Sequence, residues 1–195
     1  SSDLAAVLSE TYLRAIEALV RTESRLGKIA EARKSLEQGT KLLSSHPPFL
    51  ALAKSLDEGK PLAPLVTSAQ QGSAELFYNI GTAISRQGGA PFAQNYLQLA
   101  EYLDPGSDVI AMGLASVFEK QDNQDRANTF YEHIGASSPY WRQAQLEFAL
   151  NLNESKKVEE AEKILNELVE QDPNDLATQL TLGAVLAQHE KYADA

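Results

Sequence analysis

Cysteine is absent from the 195-residue chain, which removes disulfides, thiol catalysis and thiolate metal sites. A cysteine-free chain tolerates either redox poise, so compartment stays open on that ground. No run approaches 18 uncharged apolar residues, so no integral membrane segment is expected. Ser1-Ser2-Asp3-Leu4 shows neither the basic nor the apolar region of a signal peptide. Basic side chains are outnumbered 17 to 27, for a net charge of −10. That balance argues against nucleic acid and anionic membranes as partners.

Catalytic and cofactor signatures are also missing. Gly59-Lys60 is followed by Pro61 and belongs to no phosphate loop, and no G-x-G-x-x-G is present. His189-Glu190 lacks the second histidine of a zinc-binding H-E-x-x-H helix. His46, His133 and His189 are scattered, without carboxylates at ligand spacing. Asp122-Asn123-Gln124-Asp125 lacks the glycine and glutamate that a calcium loop needs at its sixth and twelfth positions. Asn153-Glu154-Ser155 fits the glycosylation triplet, which has meaning only in a secretory pathway. No catalytic, cofactor-binding or metal residue is assigned, no cofactor is expected, and the chain reads as a non-enzyme.

What the chain does contain is a period. Apolar residues make up 43%, enough for a continuous core. Pro105, Pro139 and Pro173 are 34 residues apart, and so are Ala93, Ala127, Ala161 and Ala195. In that frame one unit reads Phe77-x2-Ile80-Gly81-x2-Ile84, then Ala93-x3-Leu97, then Pro105. The next reads Ala111-x2-Leu114-Ala115-x2-Phe118, Ala127-x3-Tyr131, Pro139. A third reads Gln145-x2-Phe148-Ala149-x2-Leu152, Ala161-x3-Leu165, Pro173, and a fourth opens with Gln179-x2-Leu182-Gly183-x2-Leu186. This spacing resembles the tetratricopeptide repeat family, whose 34-residue pattern is W-x2-L-G-x2-Y, A-x3-F, P. The units 74–107, 108–141 and 142–175 match in spacing, with a partial one at 176–195; the first position departs from tryptophan throughout.

The resemblance implies an all-α fold, an α-α superhelix of antiparallel hairpins. Gly81, Ala115, Ala149 and Gly183 would let helix A approach helix B, Ala93, Ala127 and Ala161 would do so from helix B, and the prolines would end each B helix. Glu159-Glu160-Ala161-Glu162 then opens a B helix, its carboxylates complementing the helix dipole. Asp122 to Asp125 becomes an A–B turn.

Two domains are expected, 1–72 and 73–195. Residues 1–72 carry 9 basic and 8 acidic side chains, and 73–195 carry 8 and 19; the shift marks either a boundary near Gly72 or solvated faces of differing composition. The N-terminal part reads as degenerate helical repeats. A long helix ends near Gly27, a second spans Lys28 to Ser44 with Ala32 and Leu36 in repeat positions, and a shortened hairpin follows. Its helices would run Phe49 to Leu56 and Leu62 to Gln71, with Pro64 in the first turn of the latter and Gly72 as the break.

In the family the concave face is lined by helix A positions 2, 5, 9 and 12. By register the partner-binding groove is assigned to Tyr78, Thr82, Met112, Ser116, Leu146, Leu150, Asn153 and Leu180. An apolar strip there marks an interaction site, unless its members pack against neighbouring A helices. The residues at positions 5 and 9 include no cation, so a chaperone C-terminal carboxylate clamp is not expected. The leading function is a non-enzymatic scaffold or adaptor that binds a helix or extended peptide of another protein. The alternatives are a structural or self-assembling repeat segment of a larger protein, and an accessory domain of an enzyme outside this chain.

Gln71-Gly72-Ser73-Ala74-Glu75, Leu99-Ala100-Glu101-Tyr102-Leu103-Asp104-Pro105 and Ile134-Gly135-Ala136-Ser137-Ser138-Pro139 are similar to phrases of long alphaproteobacterial repeat proteins, some of them envelope-associated. On that resemblance periplasm or cell envelope is favoured over cytoplasm, with a role in envelope maintenance. The sequence stops inside the fourth repeat, with Leu180, Leu182, Val185 and Leu186 uncapped. The expectation is a fragment of a longer array, whose C-terminal open end frays, self-associates with another copy or is covered by the N-terminal helices of a neighbour.

Overall fold

The computed structural model describes residues 10–59 and 61–189. Among these the chain forms ten α-helices and no strand. They run α1 (Glu10–Arg25), α2 (Ile29–Leu42), α3 (Pro47–Asp57), α4 (Ala69–Arg86), α5 (Ala90–Leu103), α6 (Asp108–Glu119), α7 (Gln124–Tyr131), α8 (Trp141–Glu154), α9 (Val158–Gln171) and α10 (Leu176–Gln188). The chain divides into two compact units, one ending at Gly106 and one beginning at Ser107.

In the first unit α1 and α2 form a hairpin, α3 packs on α2, and α4 pairs with α5. Leu13, Ile16, Val20, Leu36, Phe49 and Leu52 belong to one buried core. Gly39 is there for space: a Cβ would stand 2.7 Å from Phe49 Cε2 and 3.1 Å from Ile16 Cγ2. The helix expected over Leu62 to Gln71 does not form, and 61–68 is non-helical. Pro61 and Pro64 disfavour helix in the residues before them, and side chains of α1 hold the segment instead. The Leu62 N–H donates to Ser24 Oγ (3.2 Å) and Arg21 Nη1 donates to the Ala63 carbonyl (3.1 Å). Ser68 then caps α4, accepting from the Gln71 N–H. Gly72 therefore lies inside α4 and breaks nothing. Of the long helix expected to end near Gly27, residues 10–25 are helical, and its expected beginning at Leu4 to Leu8 lies outside the described residues.

The α4–α5 hairpin follows the repeat pattern. A Cβ on Gly81 would meet Leu97 Cγ at 2.8 Å and the Ala93 carbonyl oxygen at 3.2 Å. In the second unit α6 to α10 pack successively, each on the next. Ala115, Ala127, Ala149 and Ala161 are fully buried at the A–B crossings, where a larger side chain would separate the helices. Helix α7 is eight residues against fourteen for α5 and α9. Ile134-Gly135 follows at the positions where those helices continue, and glycine is a poor helix former. Glu159 and Glu160 sit in the first turn of α9 as expected. The start of the fourth B helix, Lys191 to Ala195, lies outside the described residues.

The four A–B turns among the described residues are built alike. The N–H groups of Lys28, Gly89, Asn123 and Lys157 donate to the carbonyls of Glu23, Ile84, Phe118 and Leu152. Those of Gly27, Gly88, Asp122 and Lys156 donate to Ser24, Ser85, Glu119 and Asn153. This double pattern closes a helix with a left-handed residue after its cap. That residue is Gly27 (φ 73°), Gly88 (φ 82°), Asp122 (φ 56°) and Lys156 (φ 65°). The last three are 34 residues apart.

Candidate interaction surface

The A helices of the second unit, α6, α8 and α10, carry most of the assigned groove. Met112 and Ser116 on α6 are half-buried. Leu146 on α8 is half-buried and packs against the core of Ala149, Leu152, Leu165 and Val185. Leu150, one turn on, is 36% exposed, and Leu180 on α10 is 64% exposed. Helices α8 and α10 touch directly. The unit therefore presents two leucines outward, on helices whose other faces are buried.

Asn153 is not part of a free surface. It is buried, its Nδ2 donates to Gln188 Oε1 (2.9 Å), and its Oδ1 lies 2.8 Å from His189 Nε2. It ties the end of α8 to the end of α10.

Tyr78 and Thr82 belong to the first unit. Thr82 is half-buried, its hydroxyl donating to the Asn79 carbonyl (3.1 Å). Tyr78 is buried rather than exposed. Helix α1 lies against α4. Arg14 clamps Glu75, one turn before Tyr78, with both Nε (3.1 Å to Oε2) and Nη2. Arg14 Nη1 also holds Glu17 Oε2 (3.1 Å), and Glu17 Oε1 lies 3.4 Å from His46 Nε2. Both Arg14 and Glu17 are buried. Tyr78, placed in the groove by register, is thus buried on a helix that Arg14 joins to α1.

Two polar networks escape sequence reading. In the first, Glu119 Oε1 accepts from Tyr131 Oη (2.9 Å) and Asn151 Nδ2 (2.9 Å), and Asn151 Nδ2 also reaches Asn128 Oδ1 (3.0 Å). Burial, and then the Glu119 carboxylate, push the Tyr131 hydroxyl above its usual range. Burial first and Glu119 second also raise the Glu147 carboxyl. The available signal was Tyr131 itself, a phenol at the large apolar position of helix B, whose hydroxyl needs an acceptor. In the second, Asp175 caps α10 by accepting from the N–H groups of Ala177 and Thr178. It also accepts from Thr178 Oγ1 (2.7 Å) and Arg142 Nε (2.5 Å). The Thr178 hydroxyl leads in bringing its carboxyl down to about 2. Among the described residues no group of three His, Asp or Glu could hold a metal ion.

Residues 140–175 match the family model described as tetratricopeptide repeat, almost coincident with the unit 142–175. No curated protein sequence matches the chain. Among solved structures, a Podosopora anserina kinesin light chain protein with nearly identical TPR-like repeats is similar in fold. Its TM-score is 0.52 at 18% identity, over 93% of this chain and 89% of that one. A chain of the APC/C hetero-tetramer Cut9-Hcn1 gives a TM-score of 0.54 at 13% identity, over 91% of this chain and 37% of that one. Residues 140–175 form a tetratricopeptide repeat, and the chain that contains them has the all-α helical-repeat fold of tetratricopeptide-repeat proteins.

Proposed function

We propose that the chain is a non-enzymatic adaptor whose second unit receives a helix or extended segment of another protein on the face of α6, α8 and α10. The observation that carries the reading is the exposure of Leu150 and Leu180 at concave-face register positions of helices that contact each other. Met112, Ser116 and Leu146 lie at the corresponding positions half-buried, a floor rather than anchors. Residues 107–195 hold 16 acidic and 7 basic side chains, so the segment that fits has apolar anchors and basic flanks. Acidic tails and nucleic acid are repelled by the same charge.

The test uses synthetic amphipathic helices with leucines at i, i+3, i+4 and i+7 and lysine or glutamate flanks, titrated by fluorescence anisotropy. The lysine-flanked peptide should bind, more weakly as salt is raised. Leu150→Glu with Leu180→Glu should reduce affinity at least about tenfold without loss of helicity, because neither side chain is core. Equal affinity of wild type and variant, or preference for the glutamate-flanked peptide, overturns the reading.

A further inference from the structure

Helix α5 carries an apolar stripe that its counterparts lack. Phe92 is 71% exposed and Leu99 48%, while Tyr96 and Leu103 on the same stripe are half-buried. Spacings of 4, 3 and 4 put the four side chains on one seam of the helix. Tyr102 flanks it, 80% exposed. In the 34-residue register the same four positions of the third unit hold Glu160, Ile164, Glu167 and Gln171. In α2, aligned through the Gly27 and Gly88 turns, they hold Glu31, Ser35, Gln38 and Leu42. The hairpin does not need phenylalanine or leucine there. Its packing is supplied by the other face of α5, where Ala93, Leu97 and Ala100 are fully buried.

We propose that this stripe is a homotypic interface, on which a second copy of the chain lays its own α5 antiparallel about a two-fold axis. Two features select a second copy. The stripe is its own reverse: turning the helix end for end about the point between Leu97 and Gln98 sets Phe92 over Leu103 and Tyr96 over Leu99. An isologous contact requires that self-complementarity, and here it pairs each aromatic with a leucine. Charge is the second feature. The chain carries −10, so most of its faces repel a copy of themselves, yet Glu101 is the sole charged residue among the fourteen of α5. A foreign partner suited to this acidic protein would look for carboxylates, and α5 offers almost none. A fourteen-residue seam is about 21 Å long, short of a standard interface, so the dimer is weak and concentration-dependent.

Sedimentation velocity across a concentration series of the whole chain reads this directly. The sedimentation coefficient should rise toward that of a dimer with concentration. Phe92→Glu with Leu99→Glu, which restores the residue type found in α9, should abolish the rise with the circular dichroism spectrum unchanged. Orientation is read separately, helped by the absence of native cysteine. A short bismaleimide should cross-link Asn95→Cys, beside the axis, and leave Lys163→Cys, the same position on α9, uncoupled. A chain monomeric at every concentration overturns the proposal, even if the stripe then captures another protein or a lipid surface. So does a dimer that survives the double substitution, or equal cross-linking at the two cysteines.

Discussion

At the residue scale, the left-handed position of the A–B turns shows one backbone demand met by unlike side chains. Gly27 and Gly88 adopt it without a Cβ penalty, Asp122 tolerates it through its short polar side chain, and Lys156 has neither advantage. Lys156→Gly should therefore stabilise the protein by about 0.5–1 kcal/mol, the steric relief exceeding the entropy that glycine adds to the unfolded chain. Asp122→Gly should gain less. Urea denaturation of the two variants checks the order, and a loss at Lys156 would contradict the strain argument. The same position explains part of what the sequence hid. Prolines and alanines 34 residues apart are visible because side-chain identity repeats with structure. The turn repeats in φ alone, across glycine, aspartate and lysine, and leaves no trace in composition.

At the element scale, the register of small residues was readable because close helix crossing restricts identity so strongly. Ala127 and Ala161 are fully buried, as the period requires. Ala127→Leu or Ala161→Leu should destabilise by about 1–3 kcal/mol through overpacking, measured as a lowered thermal midpoint; unchanged midpoints in both would refute the register. Residues 61–68 were misread because apolar spacing alone suggested a helix there. Leu62 is indeed buried, but Pro61 and Pro64 set the backbone and α1 supplies the hydrogen bonds. The burial was legible and the conformation was not. Helix α10 depends on a single residue in a way that no pattern announces. Asp175 caps it and holds Arg142 and Thr178 together. Asp175→Ala should cost at least about 1 kcal/mol, the usual loss of an N-cap, and amide exchange should quicken first in α10.

At the scale of the whole molecule, tertiary cover and net charge decide what periodicity does not. Tyr78 carries the register of a groove residue but is buried, on a helix that Arg14 joins to α1 through Glu75 while holding Glu17 on its own helix. That link is a contact 61 residues apart in sequence, which no repeat frame encodes. Charge, by contrast, is readable at once, and its consequence is a stability optimum on the acid side. With 27 acidic against 17 basic side chains and a pI near 4.8, the folded chain repels itself at pH 7. Glu147 adds to this: its folded carboxyl titrates above the ordinary 4.5, so its ionised form costs stability at neutral pH, and that cost disappears as pH falls through the folded value. Asp175 acts in the opposite sense. Its folded carboxyl lies near 2 against 3.8, so its contribution is complete above pH 3.8 and drains away as pH falls toward 2. The thermal midpoint should rise from pH 7 toward pH 5, then drop below pH 3.8. Added salt should raise it at pH 7 and matter little near the pI. Glu147→Gln should raise the midpoint at pH 7, with the advantage gone by pH 4, and Asp175→Ala should lower it throughout the neutral range and flatten the acid limb. Calorimetry at low protein concentration over this pH range separates the two effects. A midpoint falling steadily from pH 7 downward would mean that neither self-repulsion nor the buried carboxyl limits stability at neutral pH.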